Sequence, residues 1–194
     1  MPKSSTGKSF WRISIILAAV LLASATTVAA ADKLVDSSDY SDKDFKTCSI
    51  TDYSDMVDGD DIQWVWTDPA IKLAQYDLKV GTVENKSKVR SKSLVESVQS
   101  VFSETFADRD SKTGSGTLTA EICIYEAEHF SAGKAWIPFV GGHKMQAGMG
   151  VEMVLRNGKN KTVAKFRHSA REGVEIEAAT QEVANDLTEY ISKH

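Results

Sequence analysis

The order of hydrophobic periodicities from residue 76 onward constrains the fold more than any other feature of the sequence. Four segments alternate apolar and polar side chains as β-strands do, and two others place apolar side chains at helical spacing. The strand-like segments are 76–83, 117–125, 151–155 and 162–166, and the helix-like segments are 93–107 and 175–192. The predicted order is therefore strand, helix, strand, strand, strand, helix.

This order predicts an α/β fold. A strand–helix–strand unit crosses over right-handed and leaves its two strands parallel, whereas Asn157-Gly158 is typical of a tight turn between antiparallel strands. We therefore expect a single α/β domain over residues 62–194, with a mixed four-stranded sheet and two helices on one face. Ser93 and Glu96 have the spacing of a capping box and predict the start of the first helix.

Two tryptophans lie just before this core. Trp64 and Trp66 occupy alternate positions of an apolar–polar segment that begins at Ile62, and Asp68-Pro69 follows it. Proline lacks the N–H that a sheet ladder needs, so the segment ends there. We expect Trp64 and Trp66 to lie on a candidate edge strand of the main sheet.

The first 31 residues have the composition of a secretory signal peptide. Three basic residues precede an apolar stretch that begins at Ile13, and the small-residue run 26–31 follows. We expect cleavage after Ala30 or Ala31 and a periplasmic or secreted protein. The alternative is an uncleaved N-terminal membrane anchor, since a bilayer span needs about 20 apolar residues. No cysteine stands at the cleavage point, so we expect no stable membrane anchor after cleavage.

The next segment is an acidic leader, residues 32–61. It carries ten aspartates and three lysines, whereas residues 62–194 carry 17 acidic and 17 basic side chains. A chain with this charge is poorly suited to a phosphate backbone, so we expect no nucleic-acid partner. Because the leader is rich in Asp and Ser and has few periodic apolar positions, we expect it to be extended or partly disordered.

Two cysteines, Cys48 and Cys123, remain after the signal segment. In an oxidising compartment an even number of cysteines suggests a disulfide bond, and two buried free thiols are the alternative. Cys123 lies on the face of its predicted strand opposite to Leu118, Ala120 and Ile122. If the aliphatic face meets the helices, a Cys48–Cys123 bond would hold the acidic leader over the other face of the sheet.

No motif in the sequence predicts a catalytic centre, a metal site or a cofactor. The four histidines, His129, His143, His168 and His194, have no metal-ligand spacing, and we expect them to be solvent-facing or hydrogen-bonded. The aspartates of 52–61 lack the alternate spacing and final Glu of a calcium loop. The glycines of 133–150 are not followed by the Lys-Ser/Thr of a phosphate loop, and no Gly-x-Ser-x-Gly occurs.

One segment is unusually apolar for its surroundings. Trp136, Ile137, Pro138, Phe139 and Val140 lie between glycines, where connecting loops are normally polar. The segment either folds over the core or forms an exposed tip that meets another protein or a membrane. We take it as the candidate interaction loop.

Two stretches of the sequence resemble bacterial exported families of unknown function. The first is 60–77, with Asp60-Asp61-Ile62-Gln63-Trp64-Val65-Trp66, Pro69, Lys72-Leu73 and Tyr76-Asp77; the second is 127–158, with Gly150-Val151-Glu152-Met153, Leu155 and Asn157-Gly158. Together they are similar to the families DUF3313 and DUF4410 over residues 60–192. The resemblance implies a small α/β envelope module that binds other proteins. Many members are lipidated, and this chain lacks their lipidation cysteine.

These observations lead to a functional hypothesis. We expect a non-enzymatic periplasmic protein that serves as an envelope interaction or assembly module, with another envelope protein as its partner. The alternative is a periplasmic protein that binds a small ligand or a divalent cation through the acidic leader or the open face of the sheet.

Overall fold

A mixed six-stranded sheet organises the chain. The computed structural model describes residues 33–109, 115–130 and 146–194. Its strands are β1 (Val57–Asp58), β2 (Trp64–Thr67), β3 (Asp77–Asn85), β4 (Thr117–Glu128), β5 (Ala147–Arg156) and β6 (Thr162–Glu172). Its helices are α1 (Ser37–Tyr40), α2 (Lys92–Ala107) and α3 (Ile176–Lys193), with a short 3-10 helix at Leu73–Gln75.

The strand order across the sheet is β1-β2-β6-β5-β4-β3. β3 and β4 are parallel, as predicted for the strands that flank α2, and the other neighbouring pairs are antiparallel. The predicted α/β class is confirmed. The described sheet has six strands rather than four, because β2 pairs with β6 and the two-residue β1 pairs with β2. The four-residue α1 adds a third helix to the two expected ones.

The main core lies between one sheet face and the two long helices. α2 buries Leu94, Val98, Phe102 and Phe106, and α3 buries an apolar stripe that includes Val183 and Leu187. Both stripes join the aliphatic side chains of β4 in one cluster. Each such side chain contributes about 1.5–3 kcal/mol when it is fully buried. This packing fixes which sheet face is left for the leader.

The predicted start of α2 is wrong in detail, whereas the predicted hairpin is present. α2 begins at Lys92, and its N-cap, Ser91, makes no side-chain capping hydrogen bond. The capping box predicted from Ser93 and Glu96 does not form, because Ser93 already lies inside the first turn. Asn157-Gly158 does join two antiparallel strands, β5 and β6; the connection spans 157–161, and its left-handed residue is Asn160 (φ 60°).

The acidic leader packs on the sheet face opposite the long helices. It contains little regular secondary structure, but Val35, Ile50, Tyr53 and Met56 are buried in a second apolar cluster with Val154 of β5. The expectation of partial disorder took no account of these side chains, which lack a regular period. The described residues lie within one compact unit, Asp32–His194. None of the described helices is both long and apolar enough to cross a membrane.

Candidate functional site

The disulfide bond fixes where the leader meets the sheet. Cys48 is bonded to Cys123 on β4, with 5.8 Å between their Cα atoms, so the predicted pairing is confirmed. Leu118, Ala120 and Ile122 face the helices, as the alternation predicted. The bond joins positions 75 residues apart, and it brings the backbone of 48–50 directly over β5.

Under that backbone lies a buried carboxylate. Glu152 of β5 is 0% exposed. Its Oε2 accepts three consecutive backbone N–H groups, from Cys48 (3.1 Å), Ser49 (2.7 Å) and Ile50 (2.8 Å). Three convergent N–H donors are a strong site for a negative charge, because charge-assisted bonds are about twice as strong as neutral ones.

The second oxygen of Glu152 is equally engaged. Oε1 accepts the Tyr53 hydroxyl at 2.6 Å and the guanidinium of Arg167. Arg167 lies directly opposite Glu152 across the β5–β6 ladder and also donates to the Lys46 carbonyl at 3.0 Å. Burial and the adjacent Glu152 carboxylate raise the pKa of Tyr53 well above that of a free phenol. We call Glu152, Arg167, Tyr53 and the N–H groups of 48–50 the Glu152 clamp.

Aromatic rings enclose the cation of the clamp. The Arg167 guanidinium carbon lies 3.7 Å from the centroid of the Tyr125 ring and 4.2 Å from that of Phe45. Rings stacked on a guanidinium stabilise it where water is excluded. Burial raises the pKa of Tyr125, although the Arg167 charge opposes that shift. Arg167 is thus bound by an anion at its tip and by rings on its faces.

Our interpretation of the sequence did not predict the Glu152 clamp. Glu152 occupies a polar position of the strand predicted over 151–155, and Arg167 lies one residue beyond the strand predicted over 162–166. A sequence signal was present only for Glu152, which stands in a strongly apolar segment, whereas Arg167 has mostly polar neighbours. Their pairing depends on the β5–β6 register and on the leader, which buries both of them.

An acidic cleft of about 660 Å³ opens beside the clamp. It lies where the leader, β2 and β6 meet, and Arg167 is among its lining residues. Its carboxylates are Asp39, Asp58, Asp60, Asp61 and Glu126. Within 33–109, 115–130 and 146–194, no three Asp, Glu, His or Cys side chains are placed to hold a metal ion together. Binding of a small ligand or a divalent cation here stays a prediction.

His168 also lines the acidic cleft. Its Nε2 is 2.7 Å from Asp186 Oδ2, and this contact ties β6 to α3. His168 is 7% exposed. It therefore belongs to the hydrogen-bonded class that we expected for the histidines.

The strand predicted at Trp64 and Trp66 is present within the described residues. Trp64 packs in the leader cluster, 5.6 Å from the ring centroids of both Phe45 and Tyr53, and Lys165 Nζ lies 5.3 Å from the Trp66 ring. Their strand, β2, is one position in from the sheet edge, with only β1 beyond it. The candidate loop Trp136, Ile137, Pro138, Phe139 and Val140 lies outside the described residues.

The opposite edge of the sheet is longer and more open. β3 has nine residues, pairs with β4 on one side, and meets no other strand of the described ranges on its outer side. A register shift falls between Val80 and Val83, so the strand carries one extra residue there. A Cβ atom added to Gly81 would lie 2.7 Å from Thr119 Cγ2 on β4, so a larger residue at this bulge would require the Thr119 side chain or the backbone to shift.

Comparisons with known proteins give distant structural similarity only. No protein-family model matches the chain, and no curated protein is significantly similar to it. A PelC dodecamer from Paraburkholderia phytofirmans is 15% identical, with a TM-score of 0.39 over 64% of this chain and 95% of that one. A predicted lipoprotein from Caulobacter crescentus is 12% identical, with a TM-score of 0.37 over 63% of this chain and 91% of that one. Similarity at this level assigns neither a family nor a function, and membership of DUF3313 or DUF4410 stays a prediction.

Proposed function

We propose that this chain is an exported, non-enzymatic interaction module of the bacterial envelope that binds a protein partner along the outer side of β3. The observation that carries the proposal is the open nine-residue edge of β3. An exposed edge presents a row of backbone donors and acceptors, and another chain can satisfy them by adding a strand.

The disulfide bond supports export. Disulfides persist in oxidising compartments such as the periplasm and are rare in the cytosol. The Cys48–Cys123 bond links the leader to the central part of the sheet. The predicted signal segment, 1–31, would deliver the chain to such a compartment.

The chemistry of the Glu152 clamp supports a structural role for this carboxylate rather than a catalytic one. A general acid or base needs a lone pair or a proton that faces the substrate. Both oxygens of Glu152 instead accept hydrogen bonds from Tyr53, Arg167 and the leader backbone. The most deeply buried carboxylate in the described chain is therefore committed to holding the leader on the sheet.

Site-specific photo-crosslinking in the periplasm tests this function. A photoreactive residue at Thr82, exposed on β3, should capture a protein partner, whereas the same residue at Lys159, exposed in the β5–β6 turn, should not. The absence of an adduct at Thr82, or equal adducts at both positions, would refute the role of the edge. Adducts at Phe139 without any at Thr82 would place the partner on the candidate loop instead.

A further inference from the structure

We infer that the partner at β3 is a second copy of this chain. The two β3 strands pair antiparallel about a two-fold axis, with Val80 of each copy opposite Val83 of the other. This inference rests on the proposed function and names the occupant of its edge. Three independent features of β3 select this register: the direction of its backbone groups, the faces of its side chains and the order of its charges.

The backbone direction is set by the two ends of the strand. The N–H of Asp77 donates to the Gly116 carbonyl (3.0 Å), and the N–H of Lys86 donates to the Ile124 carbonyl (2.9 Å), so both residues point toward the β4 side. Backbone groups alternate along a strand. Counting by alternate residues from Asp77, the backbone groups of Val80 point away from β4; counting back from Lys86, those of Val83 do the same. The backbone groups of Val80 in one copy can therefore exchange hydrogen bonds with those of Val83 in the other.

The side chains agree with this register. Val80 and Val83 align with Ala120 and Ile122 of β4, on the face that packs against the helices. A Val80–Val83 pair would therefore extend the apolar face of the sheet into the second copy, and β-branched cross-strand pairs stabilise sheets. The bulge places both valines on the same face although they are three residues apart.

The charged side chains lie on the other face. Lys79 and Glu84 align with Thr119 and Cys123, so both project on the side that carries the disulfide bond. Both are exposed. In the proposed register Lys79 of one copy stands opposite Glu84 of the other, at a non-hydrogen-bonded position where side chains come closest. The two-fold axis generates this pair twice.

The charges along the β3 edge are complementary to those of a second, antiparallel copy of the same edge. From Asp77 to Lys86 the exposed charges read negative, positive, negative, positive, at Asp77, Lys79, Glu84 and Lys86. The reversed strand therefore meets every charge with its opposite, and Asp77 stands opposite Lys86 in the same register. Within one copy Glu84 is only weakly held, with its Oε2 3.5 Å from Lys86 Nζ. An isologous interface requires this kind of self-complementarity.

One existing contact must give way at the end of the interface. Arg90 Nη1 lies 3.4 Å from the Asn85 carbonyl, which points outward from β3. In the dimer the N–H of Leu78 in the second copy would replace this long contact. The central Val80 and Lys79 pairs do not involve Arg90.

Charge reversal tests the register. Sedimentation velocity on the oxidised protein purified from the periplasm, at low salt and at concentrations up to the high micromolar range, should show a monomer–dimer equilibrium. K79E alone places two Glu–Glu pairs in the interface, and E84K alone places two Lys–Lys pairs there. Each should raise the dimer dissociation constant roughly tenfold or more.

An equimolar mixture of the K79E and E84K variants tests whether complementary charges restore dimerisation. The two single variants together form a heterodimer in which an acidic side chain stands opposite a basic one at both 79–84 pairs, so dimerisation should return. The double variant K79E/E84K should also dimerise like wild type. K159E, an equal charge reversal in the exposed β5–β6 turn, is the control and should leave the dissociation constant unchanged.

Three results would overturn the inference: a monomeric wild type throughout the range, single reversals that dimerise like wild type, or a mixture that stays monomeric. Failure of the inference that the partner is a second copy is distinguishable from failure of the proposed function. A monomeric protein whose Thr82 crosslinker captures a different envelope protein removes the second copy and leaves the binding role. A monomer without any adduct at Thr82 removes both.

Discussion

Replacing Glu152 by glutamine should destabilise the protein far more than the same substitution in a neighbouring strand. The Glu152 carboxylate is 0% exposed and accepts five hydrogen bonds. Glutamine removes the charge and leaves the guanidinium of Arg167, itself 7% exposed, without a counter-ion. Removing one partner of a buried ion pair costs about 3–5 kcal/mol. The total free energy of unfolding of a domain is about 5–15 kcal/mol, so the expected loss is a large fraction of it.

The matched control is Glu121→Gln on β4. Glu121 Oε2 accepts a hydrogen bond from Arg156 Nε at 2.8 Å, but these side chains are 37% and 30% exposed. An ion pair this accessible to water contributes about 0–1 kcal/mol. The two substitutions are chemically identical, so the expected difference of about 3 kcal/mol isolates the effect of burial.

Urea unfolding with the disulfide intact measures both losses. Tryptophan fluorescence reports the leader cluster through Trp64, and far-UV circular dichroism reports the helices and the sheet; agreement of the two supports a two-state analysis. A loss below about 1 kcal/mol for Glu152→Gln, or one no larger than that for Glu121→Gln, would refute the clamp as a determinant of stability.

Three further changes test other parts of the fold. The double variant Cys48→Ser/Cys123→Ser should lose about 4 kcal/mol in urea unfolding, since the bond closes a loop of 75 residues; a loss below about 1 kcal/mol would contradict this. Because the pKa of Tyr53 is raised in the folded state, Tyr53 ionises just above about pH 10 in the unfolded chain but stays protonated in the folded one. Stability should therefore fall as pH rises past that value, and less steeply in Tyr53→Phe; equal slopes in urea unfolding between about pH 8 and 11 would count against it. Gly150→Ala places a Cβ 2.6 Å from a tyrosine ring and should lower the free energy of unfolding by about 1–3 kcal/mol, whereas Gly158→Ala meets nothing within 4 Å and should be near neutral; equal midpoints of thermal unfolding would contradict the close contact.

Local periodicity was sufficient for most of the elements. The alternation at 117–125 predicted both β4 and the face on which Cys123 lies, because side chains of a strand alternate strictly between two faces. The disulfide bond was predicted from the even count of cysteines in an oxidising compartment, and the placement of Cys123 predicted which sheet face the bond would join to the leader. The helical spacing over 93–107 and 175–192 predicted α2 and α3 to within one residue at each end.

The leader was harder to interpret because its apolar residues have no regular period. Ile50, Tyr53 and Met56 are buried because Val154 of β5 and the tryptophans of β2 pack against them. The aspartates that dominate its composition remain mostly exposed, so the composition describes the outer side of the leader and not its packing.

The sequence by itself predicted most of the local elements, the face of β4 that meets the helices, and a bond between the two cysteines, with free thiols as the alternative. The tertiary structure decided the neighbours: that β2 joins β6, that Glu152 meets Arg167 beneath the leader, and that β3 is left as the open edge. The physical reason is the separation along the chain of the residues that determine each feature. Periodicity records what adjacent residues bury on one element, whereas strand order and register depend on contacts between segments far apart in the chain.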